Sequence, residues 1–133
     1  VAIIPEPTTR RRYLETQIAM PHVAPLAYAV TESCLRNGWQ WHSELITALQ
    51  HNRDTVIDWA KSHPELEVTT GDATFLAWIE SHTQTNLAER FAAEGIRLSP
   101  GIPFGSETAV RLNFGTNPAT LTEALRLMDA ALL

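Results

Sequence analysis

Hydrophobic and polar positions change their period part-way along the chain. Before Pro64, apolar residues recur every three or four positions; after it, short alternating runs appear between turn residues. The first part therefore predicts helices. Pro7 to Gln17 suits a short, mostly polar helix, with Pro7 in its first turn and Thr8 or Thr9 as the capping side chain. Met20-Pro21-His22-Val23-Ala24-Pro25 interrupts that pattern. A second helix is expected from Leu26 to Arg36, closed by Asn37-Gly38, and the small bulk of Ala24, Ala27, Tyr28 and Ala29 suggests close approach of another backbone. The longest candidate is Trp39 to Ser62, with Leu45, Ile46, Leu49, Val56, Ile57 and Ala60 on one face. Pro64 stops it, because the ring has no amide hydrogen and biases the preceding residue away from helix.

Beyond the break, Leu66 to Thr70 and Thr74 to Glu80 carry strand-type residues, and Gly71-Asp72 between them predicts a tight hairpin. Thr85 to Glu94 reads as a helix with Leu87, Phe91 and Ala92 apolar, closed by Gly95. Ile96 to Leu98 is expected as a short strand, followed by the irregular run Ser99 to Gly105. In Ala109 to Phe114, the apolar Val110, Leu112 and Phe114 alternate with Ala109, Arg111 and Asn113, so one face meets a core and the other something polar. Pro118 opens a last helix whose buried stripe is Leu121, Ala124, Leu125, Met128 and Leu132. The predicted class is α/β: a small, largely antiparallel sheet covered by helices on one face, preceded by a long amphipathic helix. Arg111 and Asn113 would look out from the free face or the rim.

A length of 133 residues suits one domain able to bury a core, and 44% apolar with 19% charged residues is globular composition. No apolar run approaches a membrane span, so no membrane is expected. A formal charge of −5, with Arg10-Arg11-Arg12 as the basic cluster, argues against a nucleic-acid surface. The single cysteine, Cys34, cannot form an internal disulfide; it fits a reducing compartment, hence the cytoplasm, and its apolar surroundings suggest packing. The opening Val1-Ala2-Ile3-Ile4-Pro5 reads as a buried-type strand without sequence neighbours, as in a chain cut from something longer.

Candidate chemistry is sparse. His22, His42, His51, His63 and His82 lack the spacing of a metal site, so surface imidazoles and no metal are expected. His42 and Glu44, two apart on a helix, face different ways. No nucleophile elbow occurs, and Gly101-Ile102-Pro103-Phe104-Gly105 has prolines where a phosphate cradle needs free amides. Trp39, Trp41, Trp59 and Trp78 are expected mainly in the core, although the first two could instead cover an interface. Arg111 stands out: on a rigid strand beside the amide of Asn113, its planar fork matches the two oxygens of a carboxylate. A solvated or ion-paired surface arginine is the competing reading.

Three segments resemble one family. Gly71-Asp72-Ala73-Thr74-Phe75-Leu76-Ala77-Trp78, Ser99-Pro100-Gly101-Ile102-Pro103-Phe104-Gly105 and Val110-Arg111-Leu112-Asn113-Phe114-Gly115 occur in the order and at the distances seen in pyridoxal-phosphate-dependent class I/II aminotransferases of the aspartate aminotransferase fold. Ile3-Ile4-Pro5 looks like the strand after the cofactor-lysine region, and Trp39 to Asp54 is similar to the helix entering the C-terminal domain. Trp39, Ala73-Thr74-Phe75 and Arg111-Leu112-Asn113-Phe114-Gly115 look most like the cystathionine β-lyase branch.

The resemblance implies that residues 1–23 are a remnant of the large-domain end with a connecting helix, and residues 24–133 the C-terminal small domain. It also implies that Arg111 binds the α-carboxylate of an L-amino-acid substrate, with Phe104 and Gly105 shaping the adjoining wall. The cofactor of the parent enzyme would be pyridoxal 5'-phosphate, and the parent a homodimer. The cofactor-anchoring lysine would lie upstream, and Lys61, late on an amphipathic helix, is no substitute. The chain alone is thus expected to be inactive, and exposed apolar surface to make it stick to copies of itself. A carbon–sulfur β-lyase is the first expectation; an aminotransferase of the same fold, or a free-standing binding module, are the alternatives.

Overall fold

A computed structural model of the chain describes residues 3–16 and 24–133. Contacts divide it into two compact units, Val1–Gln40 and Trp41–Leu133. The expected boundary after residue 23, and the interrupting run from Met20 to Val23 with His22, fall outside or at the edge of the described residues.

In the first unit, helix α1 spans Pro7–Thr16 and α2 spans Pro25–Asn37, as predicted. The cap of α1 differs from expectation. Glu6 accepts from the backbone N–H groups of Thr8 (2.8 Å) and Thr9 (2.5 Å), so the threonines donate where they were expected to accept. Hydrogen bonds, with Thr9 foremost, hold the Glu6 carboxyl down at about 2. Helix α2 ends at Gly38, whose N–H donates to Cys34 O; a β-carbon there would come within 2.5 Å of that carbonyl. Ala27, Tyr28 and Ala29 are exposed rather than closely packed, and Cys34 is exposed rather than buried. Small side chains alone do not bring a second backbone to a helix surface.

Helix α3 spans Trp39–Ala60 and runs on into the second unit. Four strands follow: β1 (Leu66–Thr70), β2 (Leu76–Ser81), β3 (Ser99–Pro100) and β4 (Ala109–Asn113), with α4 (Leu87–Ala93) after β2 and α5 (Pro118–Leu132) at the end. The sheet order is β1-β2-β4-β3 and every neighbouring pair is antiparallel. One sheet face and the helices make the core: Ala77, Ile79, Val110 and Leu112 meet Val56 of α3, Leu87 and Phe91 of α4, and Leu121, Leu125 and Met128 of α5. Burying each of these side chains larger than alanine contributes about 1.5–3 kcal/mol. The predicted class is therefore correct. Among the described residues no helix is long and apolar enough to cross a membrane.

Amphipathicity in α3 is narrower than its sequence suggests. Only Asn52 and Val56 are buried, and Ile46 and Ile57 are exposed. Asn52 compensates with polar ties, its amide donating to Phe114 O and Thr116 O at 2.8 Å each. Farther along, Trp59 Nε1 donates to Asp129 Oδ1, and His63 lies 2.9 Å from the same carboxylate and 3.1 Å from Glu65. His63 lies tilted against the Trp59 ring with its side chain 15% exposed, so it is not the surface imidazole expected.

Two strand boundaries also differ. The β1–β2 connection takes in Gly71 to Phe75, longer than a two-residue turn, with Thr74 in the left-handed region at φ 72°. Ile96 to Leu98 is not a strand. Gly95 (φ +87°) turns the chain back so that Ile96 N–H donates to Phe91 O, which removes it from any ladder. The paired residues are instead Ser99 and Pro100, opposite Arg111 and Val110.

Candidate functional site

β4 lies between β2 and β3, so both its edges are hydrogen-bonded and the residues it carries are fixed in direction. Val110 and Leu112 point into the core, which turns Arg111 to the opposite face. There Arg111 is half-buried, opposite Trp78 of β2 on one side and Ser99 of β3 on the other. Its Nη2 is 3.5 Å from Ser99 Oγ, a contact at the limit of a hydrogen bond. Among the described residues no carboxylate pairs with it, so the ion-paired alternative does not apply.

An aromatic ring covers part of the guanidinium. Arg111 Cζ lies over the Phe104 ring, 4.9 Å from its centroid, and Trp78 meets Phe104 edge-on at 5.8 Å and 88°. Phe104 ends a 3-10 turn, Ile102–Phe104, closed by Gly105 in the left-handed region at φ +91°. Gly101 sets that turn against β4. It is buried, its N–H donates to Ala109 O at 2.8 Å, and a β-carbon would stand 2.7 Å from both Ala109 O and Ser106 O. This close approach also buries Ala109, which strand alternation had assigned to the polar face.

The far end of the same loop is tied to β2. Glu80 accepts from Ser106 Oγ (2.9 Å) and Thr108 Oγ1 (3.0 Å), and these bonds, Ser106 first, hold its carboxyl below the usual range. The side-chain carbonyl oxygen of Asn113 accepts from Gly115 N–H at 2.8 Å in a local turn. Other expected residues lie apart from this cluster. Lys61 is exposed and 2.6 Å from Asp58. Trp39 and Trp41 are 69% and 67% exposed instead of core, while Trp59 and Trp78 are half-buried. A separate groove between α3 and the Gly71–Phe75 loop, lined by Leu49, Arg53 and Phe75, does not include Arg111.

Sequence alone did not mark Trp78 and Ser99 as neighbours of Arg111, nor Glu80 as the brace of the loop before β4. Cross-strand register brings the first two together, and register depends on a connection that looked like a two-residue turn. Glu80 and the Ser106/Thr108 hydroxyls carry only a weak signal, that of side chains able to brace a loop.

No family model matches the chain. Cystathionine β-lyase PatB from Bacillus subtilis strain 168 is 32% identical over 116 residues, covering 80% of this chain and 30% of that enzyme. The crystal structure of OvoB superposes on 98% of the chain with a TM-score of 0.87 at 34% identity, over 35% of its own length. The chain has the fold of the C-terminal domain of the aminotransferase-fold enzymes, and its sequence is similar to that of a cystathionine β-lyase. Cystalysin from Treponema denticola, whose crystal structure contains a pyridoxal 5'-phosphate cofactor, matches this aminotransferase-fold domain with a TM-score of 0.80 at 26% identity, over 98% of the chain and 36% of cystalysin. The domain thus spans about a third of the length of these relatives.

Proposed function

We propose that this chain is the substrate-carboxylate-binding part of a pyridoxal-phosphate-dependent carbon–sulfur β-lyase of cystathionine β-lyase type, acting on L-amino acids. The observation that supports it is Arg111: a guanidinium on an interior strand, turned away from the core, with no carboxylate partner among the described residues. A fork held this way donates parallel N–H···O bonds to the two oxygens of an amino acid's acid group. That grip fixes the substrate's α-carbon and leaves its side chain to be chosen elsewhere.

Pyridoxal phosphate, when bound, supplies an electron sink for charge developing at the α-carbon. The residues of this chain do not fit its anchor: the single lysine, Lys61, is exposed and ion-paired to Asp58. The isolated chain is accordingly proposed to be inactive, and the parent, as a homodimer, to carry the cofactor.

In the full-length parent, Arg111→Ala is expected to raise KM for L-cystathionine about 30-fold, on the order of 2 kcal/mol for a charge-assisted pair, while the cofactor absorbance is retained. An unchanged KM removes the anchor assignment. Pyruvate release without added keto acid supports the lyase; keto-acid-dependent amino transfer replaces it with the aminotransferase reading.

A further inference from the structure

We propose that Phe104 is a positioning residue for Arg111, holding the guanidinium so that its donors face the substrate's carboxylate. The proposal rests on the reading of Arg111 as the carboxylate anchor and adds what keeps that anchor in place. Arginine has a long, rotamer-rich side chain, and a strand fixes only its root. Something beyond the backbone must set the fork. Ser99 Oγ, 3.5 Å from Nη2, is too distant to do so alone.

Phe104 is placed to do it. The Arg111 Cζ lies over its ring at 4.9 Å, within the range of cation–π attraction. The N–H donors of a guanidinium lie in its own plane, so contact with a ring face takes none of them. A hydrogen-bonding partner in the same position would occupy donors that the substrate needs. The ring is itself held on two sides. Trp78, which faces Arg111 across the β2–β4 ladder, meets it edge-on, and the Gly101 contact with β4 fixes the turn that presents it. At 56% exposure Phe104 contributes little to the core, so a packing role leaves this placement unexplained.

The test is a double-mutant cycle in the full-length parent, with L-cystathionine as substrate and variants Phe104→Leu, Phe104→Met, Phe104→Tyr, Arg111→Gln and the Phe104→Leu/Arg111→Gln pair. Phe104→Leu and Phe104→Met are expected to raise KM about two- to fivefold, the worth of an exposed cation–π pair, with kcat changed less than KM. Phe104→Tyr, which keeps the ring, restores the parental KM. In the Arg111→Gln background Phe104→Leu has no further effect. If Arg111→Gln raises KM and Phe104→Leu adds the same factor with or without Arg111, the positioning role is overturned and the anchor stands. If Arg111→Gln itself leaves KM unchanged, it is the anchor that falls. Should Phe104→Leu fold poorly, the Phe104→Met and Phe104→Tyr contrast decides: equal KM values for the two overturn the role.

Discussion

Trp78 and Phe104 meet edge to face, 5.8 Å between ring centroids and 88° between planes, although one belongs to a strand and the other to a surface turn 26 residues later. The positive edge of one ring points at the negative face of the other, which is the geometry that aromatic pairs prefer. In the full-length parent, a stability cycle of Trp78→Leu and Phe104→Leu is therefore expected to give a coupling of about 0.5–1.5 kcal/mol by urea denaturation. Simple additivity would mean the rings are neighbours without attraction.

Gly101→Ala is expected to destabilise the domain by about 1–3 kcal/mol. Both atoms that the added methyl would meet, Ala109 O and Ser106 O at 2.7 Å, are backbone and cannot rotate away. The loss reads out as a lowered melting temperature, together with a raised KM in the parent as the Phe104 turn shifts. A variant that melts like the parent would show that the turn moves without cost.

Glu80 predicts an acid dependence for the same loop. Its folded-state pKa lies below the ordinary value of 4.5 because Ser106 and Thr108 donate to the ionised form. The stabilisation is thus complete above the unfolded pKa and is lost as pH falls through the folded value. Glu80→Gln should flatten this limb of the stability–pH curve, measured by denaturant unfolding at a series of pH values between about 3 and 7. An unchanged limb in the variant would assign the acid sensitivity to other carboxylates, of which Glu6, held down at about 2, is one.

Asn52→Leu should cost on the order of 2–4 kcal/mol, because two carbonyls, Phe114 O and Thr116 O, lose their donor at once. Leucine shares the branched shape of asparagine and favours the helix, so propensity works in the opposite direction. A neutral result by thermal unfolding would mean that water replaces the amide.

The helices and the general architecture were legible because each rests on a local period that the chain states openly, as in the stripe of Leu121, Leu125 and Met128. The outward direction of Arg111 was legible for the same reason, since alternation with Val110 and Leu112 decides it. What surrounds Arg111 was not. Ser99 was read as the start of a loop because Pro100 and Pro103 suggest irregular chain, yet a two-residue ladder forms there. The exposure of Trp39 and Trp41 was misjudged for another reason: large aromatic side chains mark contact surface without saying whether this chain supplies the contact. His63 shows the converse, since Asp129, its partner 66 residues away, is invisible to any local period.

β4 comes late in the sequence but occupies an interior place in the sheet, with β2 on one flank and β3 on the other. Its ladder joins Trp78 to Arg111, so it closes only after an intervening stretch of chain has been gathered in, and such long closures are slow steps in folding. A partly assembled domain therefore lacks the fixed Arg111, and under the proposed function affinity for an amino acid becomes a measure of how many molecules have finished folding.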